Sequence, residues 1–186
     1  MDAGEQLIAH VYAGRTAVVG ELLSQGVAVD GKQAGTSWSP LLLACAEGHA
    51  DIVELLLRRN SDVDQSLDDG STPLMLAATM GHLDVVRLLL RESAHVEARR
   101  VDGTSALMVA CGNGHDDVAA ILITLGGADL EAQNTRGETA LALAACYRHR
   151  DVVAMLLQHG ALLEAGNDYA GMRWGNINEG VIQEVK

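Results

Sequence analysis

Along most of the chain, apolar runs alternate with short polar stretches, and the alternation has a fixed period. The runs Leu55-Leu56-Leu57, Leu88-Leu89-Leu90, Ile121-Leu122-Ile123 and Met155-Leu156-Leu157 recur every 33 or 34 residues. Ser39-Pro40-Leu41, Thr72-Pro73-Leu74, Ser105-Ala106-Leu107 and Thr139-Ala140-Leu141 keep the same rhythm. So do Gly48-His49, Gly81-His82, Gly114-His115 and Arg148-His149, the last retaining only the histidine. The single extra residue falls near Gly126-Gly127, where a loop absorbs an insertion cheaply. Self-similarity at this period predicts an array of small units that bury their apolar faces against one another.

Each unit reads as two helices. In the third, Thr72 is an N-cap hydroxyl and Pro73 sits at the first helical position, where its missing N–H costs nothing. Leu74, Leu76, Ala77 and Ala78 make a small-residue helix that packs closely, and Gly81-His82 breaks it. Asp84 then opens a second helix, its charge meeting the positive end of the helix dipole, as Asp51, Asp117 and Asp151 do in the other units. Val85, Val86, Leu88 and Leu89 supply the buried face at helical spacing. Asn60 and Gly160 end their helices as residues that tolerate a left-handed backbone, with Ser93 a weaker stop in the third unit. Residues 5–30 carry a shortened first copy through Leu7, Ile8, Ala9, Gly14, Leu22-Leu23 and Gly26, without the preceding loop.

The pattern Asp-Gly-Ser-Thr-Pro-Leu-Met-Leu-Ala-Ala-Thr-Met-Gly-His-Leu-Asp-Val-Val-Arg-Leu-Leu-Leu over residues 69–90 resembles the ankyrin repeat, and the likeness extends over roughly residues 5–165. The resemblance implies an all-α solenoid of L-shaped units, each a hairpin loop followed by two antiparallel helices. The expected organisation is a capping copy over residues 1–31 and full copies over 32–65, 66–98, 99–132 and 133–165. Residues 166–186 form a degenerate copy, cap or tail, with Trp174 over the last repeat and a short helix within 172–186 as one option.

The copies depart from the family in two periodic ways. Where the family has His after Thr-Pro-Leu, this chain has Leu42, Met75, Met108 and Ala142. These either fill a half-buried pocket or form an apolar stripe along the inner face. Where the family often has Asn near the end of a unit, Asp30, Asp64, Glu97, Glu131 and Glu164 recur. These either accept backbone hydrogen bonds in their own loops or make an acidic ribbon suited to a basic peptide.

Composition narrows the functions. Aromatics are 3% with no Phe, so the core is built from Leu, Val, Ile, Met and Ala, which favours helices. A net charge of −12 argues against nucleic acid and anionic membranes, and serves either solubility or a basic partner. No secretory signal is visible and no apolar run is long enough to span a bilayer. Cys45, Cys111 and Cys146 are an odd set without Cys-x-x-Cys, which fits reduced thiols in the cytoplasm or nucleus.

Catalytic chemistry finds no support. Equivalent residues in stacked units lie roughly 10 Å apart, too far for His49, His82, His115 and His149 to share a metal; turn residues bonding to backbone is the better reading. The same spacing keeps the carboxylates from acting as a pair. No phosphate loop or Gly-x-Ser-x-Gly is present. The expectation is therefore no enzyme, no cofactor and no metal, in a monomer that binds another protein.

The resemblance implies binding through hairpin tips and the exposed side of the first helices. It selects Trp38, Ser71, Thr104 and Glu138 before the first helices. It also selects Asp69, Asp102 and Arg136 at the tips, and Glu47, Met80, Asn113 and Tyr147 at the helix ends. Trp38, Met80 and Tyr147 are the expected anchors, because large side chains dominate interface energies. The function expected is that of an adaptor, scaffold or inhibitor. Alternatives are the targeting region of a larger enzyme, which the incomplete sixth copy would suit, and a structural or designed array, against which the drift between copies speaks.

Overall fold

Helices of seven to ten residues are too short to persist alone in water, so each must be held by its neighbours. The computed structural model describes residues 3–163. The expectations for Glu164, for Trp174 and for residues 172–186 lie outside the described residues. Within them the chain forms ten helices and no strand, and it divides into two compact units, Met1–His95 and Val96–Lys186.

The first unit holds α1 (Ala3–Tyr12), α2 (Thr16–Ser24), α3 (Pro40–Glu47), α4 (Ala50–Arg58), α5 (Pro73–Met80) and α6 (Leu83–Arg91). Consecutive helices pair as α1–α2, α3–α4 and α5–α6, and the pairs stack, α1 on α3 and α3 on α5. Small residues make the close approach possible: Ala44, Cys45, Ala77 and Ala78 have no exposed surface. Ile52, Val53 and Leu56 of α4 and Val85, Val86 and Leu89 of α6 supply the larger buried side chains. Each is worth about 1.5–3 kcal/mol on burial.

The second unit holds α7 (Ala106–Gly112), α8 (Asp116–Thr124), α9 (Ala140–Cys146) and α10 (Arg150–Gln158), with α7 on α9 and α8 on α10. Its core repeats the recipe with Ala110, Cys111, Ala119, Leu122, Ala144 and Leu156. The all-α architecture of stacked helix pairs is thus found in both units.

The caps fall where the sequence places them. Ser39, Thr72, Ser105 and Thr139 accept from the N–H of Leu42, Met75, Met108 and Ala142, 3.2–3.4 Å away. Asn60 and Ser93 take left-handed backbones at φ 62° and 64°, as does Gly160 at 93°. Leu42, Met75 and Met108 are fully buried, which removes the apolar-stripe reading for them; Ala142 is half-buried. They point into the core because they sit at the third helical position, directly beneath the capping hydroxyl.

At the end of α9 the left-handed position is held by Arg148, φ 64°, where earlier units have glycine. A side chain there costs roughly 1–2 kcal/mol in backbone strain. Arg148→Gly is therefore expected to raise stability by about 1 kcal/mol, read as a higher urea midpoint with unchanged m-value. A lower midpoint would mean that the arginine side chain contributes more than its backbone costs.

Candidate functional site

Three sets of periodic polar residues organise the surface: the hairpin tips, the histidines and the carboxylates. Each hairpin closes on itself by backbone pairing, Gln33 N–H to the Trp38 carbonyl and Leu67 N–H to that of Ser71 in the first unit. Arg100 to Thr104 and Asn134 to Glu138 do the same in the second, all at 2.8–3.0 Å. A side chain inside each tip then accepts from the backbone two residues on. Asp69 accepts from Ser71, Asp102 from Thr104 and Asn134 from Arg136, each at 2.9 Å, the local turn bonding for which Asp and Asn are favoured.

The tip residues selected from sequence divide accordingly. Ser71, Thr104 and Glu138 are buried. Ser71 Oγ donates to Asp69 Oδ2 at 2.8 Å, and Glu138 accepts from Asn134 Nδ2 at 2.7 Å and from Arg136 Nε at 3.0 Å. Their polar groups hold the hairpin rather than facing solvent. Asp69, Asp102 and Arg136 are exposed at the tips. Bonds from the Thr104 hydroxyl and N–H, with the charges of Arg100 and Arg136 adding to them, hold the Asp102 carboxyl below the usual carboxylate range.

At the ends of the first helices, Glu47 and Met80 of the first unit and Asn113 and Tyr147 of the second are exposed. Met80 leaves 57% and Tyr147 61% of its surface in water. Trp38 is half-buried against the first unit. The backbone gives the cause: α3 and α5 end at Glu47 and Met80 themselves, and α7 and α9 end one residue before Asn113 and Tyr147, so all four side chains stand at the very end of a short helix.

The histidines bond to backbone as expected, but to that of the preceding copy. His49 Nε2 lies 3.3 Å from the Tyr12 carbonyl, His82 Nε2 3.0 Å from that of Ala46, and His149 Nε2 3.0 Å from that of Gly112. A carbonyl only accepts, so Nε2 carries the proton in each. The acidic series is corrected in the same direction. Asp64 accepts from His95 N–H at 2.8 Å, Glu97 from Asp129 N–H at 3.0 Å and Glu131 from Leu162 N–H at 2.8 Å. Asp30 accepts from the side chains of Ser61 and Gln65. None of these partners lies in the carboxylate's own loop; each is about one copy further along, so the acids staple successive copies together. Sequence alone shows that a carboxylate recurs, and not whose amide it faces.

Among the described residues no group of three His, Cys, Asp or Glu side chains is arranged to hold a metal ion, and no helix is long and apolar enough to cross a membrane. The groove that the sequence did not point to lies in the first unit, between α1, the 32–38 hairpin and α3, and has a volume of about 560 Å³. Tyr12 lines it, 63% exposed, at a position the repeat pattern leaves unremarked.

Comparison with curated proteins finds no match. The family model for ankyrin repeats (3 copies) matches residues 7–100 and again 93–167, nearly all of the chain that folds into helix pairs, and the chain belongs to the ankyrin repeat family.

Proposed function

We propose that this chain works by holding another protein, as an adaptor, scaffold or inhibitor, through its hairpin tips and the ends of its first helices. Ankyrin repeats are in general protein–protein interaction modules. The observation that carries the reading is the exposure of Met80 and Tyr147, large apolar side chains at equivalent places in the repeat. Such side chains gain by leaving water against a partner, and a few anchors of this kind dominate interface energies. Trp38, Glu47, Asp69, Asp102, Asn113 and Arg136 complete the proposed surface. Ser71, Thr104 and Glu138 contribute by shaping the tips. The net charge of −12 suits a basic partner.

Affinity capture from lysate of the source cells tests this, comparing the chain with the variant Trp38→Ser/Met80→Glu/Tyr147→Ser. Circular dichroism first establishes equal helicity. The expected result is a protein retained by the wild type and reduced at least about tenfold by the variant. Equal retention by both would move the binding surface elsewhere.

A further inference from the structure

Asn-Gly occurs once in the chain, at Asn113-Gly114, where α7 ends. An asparagine amide is lost most readily at this pair, because the glycine nitrogen carries no bulky residue when it attacks the asparagine Cγ. Gly48 and Gly81 follow Glu47 and Met80, which have no amide to lose. The end of α7 is also loosely held. Gly112 stands in its last turn, and the Gly114 N–H reaches the Cys111 carbonyl at 3.3 Å, against 3.0 and 3.1 Å for Gly14 and Arg148 at the same place. Asn113 is exposed, its Nδ2 donating to the Val109 carbonyl at 2.7 Å.

The next copy opposes the reaction. At ψ −1° the Gly114 nitrogen is turned away from the Asn113 Cγ, so ring closure needs a large rotation about the bond from Cα to the carbonyl carbon. His149 stands against that rotation on both sides. Its Nε2 holds the Gly112 carbonyl at 3.0 Å, and its ring covers Gly114, whose Cβ position lies 2.5 Å from Nδ1. The other asparagines among the described residues differ. Asn60 precedes Ser61 and Asn134 precedes Thr135, and Asn134 is buried with its side-chain oxygen and nitrogen both bonded.

We propose that Asn113 is a deamidation site gated by His149, and that its conversion loosens the stacking of α7 on α9. The Gly114 nitrogen bonds to the Asn113 Cγ and gives up its proton through solvent to Nδ2. The Cγ–Nδ2 bond breaks and Nδ2 leaves as ammonia, which closes a succinimide. Solvent water then opens the ring at either carbonyl, leaving aspartate or isoaspartate. Both products weaken the end of α7. A carboxylate only accepts, so the bond to the Val109 carbonyl is lost, and the new charge stands at the negative end of the helix dipole. Isoaspartate also adds a backbone carbon between residues 113 and 114, under a ring that leaves no room for a Cβ. Asn113 belongs to the surface proposed above, so the same event changes the charge offered to a partner; the chemistry itself does not depend on that reading.

The test follows the full chain in mildly alkaline buffer by peptide mass mapping, with fragmentation that separates asparagine, aspartate and isoaspartate. At Asn113 the urea-unfolded chain should convert fastest, the folded His149→Ala variant next and the folded wild type slowest. Loss of the hydrogen bond that holds the turn should separate the last two by about fivefold. Asn60 and Asn134 should stay intact in the folded protein over the same time. Circular dichroism checks that His149→Ala folds. If it does not, His149→Gln takes its place, keeping a donor for the Gly112 carbonyl without the ring over Gly114, and its rate should fall between those of the folded wild type and the unfolded chain. Equal rates in folded wild type and folded variant would overturn the gating, and Asn113 left intact in the unfolded chain would overturn the site. The converted fraction, separated by charge, should unfold at lower urea than fresh protein, while Asn113→Gln should show no drift with age. A converted fraction as stable as fresh protein would overturn the loosening.

Discussion

Gly48→Ala is expected to cost about 2–4 kcal/mol, more than an ordinary surface glycine replacement, because two penalties coincide there. The first is backbone strain. Gly48 closes α3 at φ 77°, and a Cβ in the left-handed region costs roughly 1–2 kcal/mol. The second is the His82 ring. A Cβ on Gly48 would lie 2.6 Å from both Cε1 and Nδ1 of that ring, well inside contact distance. The ring cannot swing aside freely, since its Nε2 is held 3.0 Å from the Ala46 carbonyl. Moving it forfeits a hydrogen bond worth about 1 kcal/mol. Gly35, at φ 73° with nothing within 4 Å of its Cβ position, shares the strain without the contact. Urea unfolding of Gly35→Ala against Gly48→Ala therefore isolates the ring's share. In a double-mutant cycle, His82→Ala should recover part of the Gly48→Ala loss. Equal costs at the two glycines would show that the ring is not pinned against the cap.

This coupling explains why glycine and histidine travel together through the sequence. The glycine ends one copy's first helix, and the histidine 34 or 35 residues later lies over it and bonds to the carbonyl two residues before it. The pair Gly114 and His149 repeats the arrangement in the second unit, with a Cβ position 2.5 Å from His149 Nδ1. The fold was legible because each full copy states its own local needs: a capping hydroxyl, in two of them proline at the first turn, a small-residue helix, a left-handed stop. Relations between copies were less so. Asp64, Glu97 and Glu131 look from spacing like members of their own loops, and only the stacking of one copy on the next brings a distant amide to them.

The proposed surface was legible for a related reason and to a smaller extent. Position within the repeat identifies Met80 and Tyr147, since the end of a short helix is exposed whatever its sequence. It does not separate Trp38 from Ser71, Thr104 and Glu138, which share a position and differ in what the hairpin asks of them. A buried small polar group completes a turn, whereas an indole does not fit that role. Tyr12 was missed because a shortened first copy offers no hairpin against which to judge it; the groove exists only once α1 and the following hairpin are brought side by side.

The two buried first-helix cysteines, Cys45 and Cys111, lead to the other large effect. Burial pushes the Cys111 thiol up to about 12 and the Cys45 thiol higher still, because both lie in apolar surroundings that penalise a thiolate. Cys146 is exposed. Of the three thiols, one is expected to react rapidly with an aromatic disulfide reagent in native buffer and the other two only after unfolding. Stability should follow the same asymmetry with pH. A group whose folded pKa is raised contributes fully below its unfolded value, about 8.5 for cysteine, and loses that contribution as pH rises towards the folded value. Each buried thiol should therefore remove about 1.4 kcal/mol per pH unit above that point, or about 5.5 kcal/mol for the pair by pH 10.5. Tyrosines and lysines titrate in the same range, so the comparison is with Cys45→Ala/Cys111→Ala, which starts less stable but should decline more slowly between pH 8.5 and 10.5. Parallel declines in the two proteins, or three thiols reacting at one rate in the native state, would mean that these helices open readily enough to expose their cores to water.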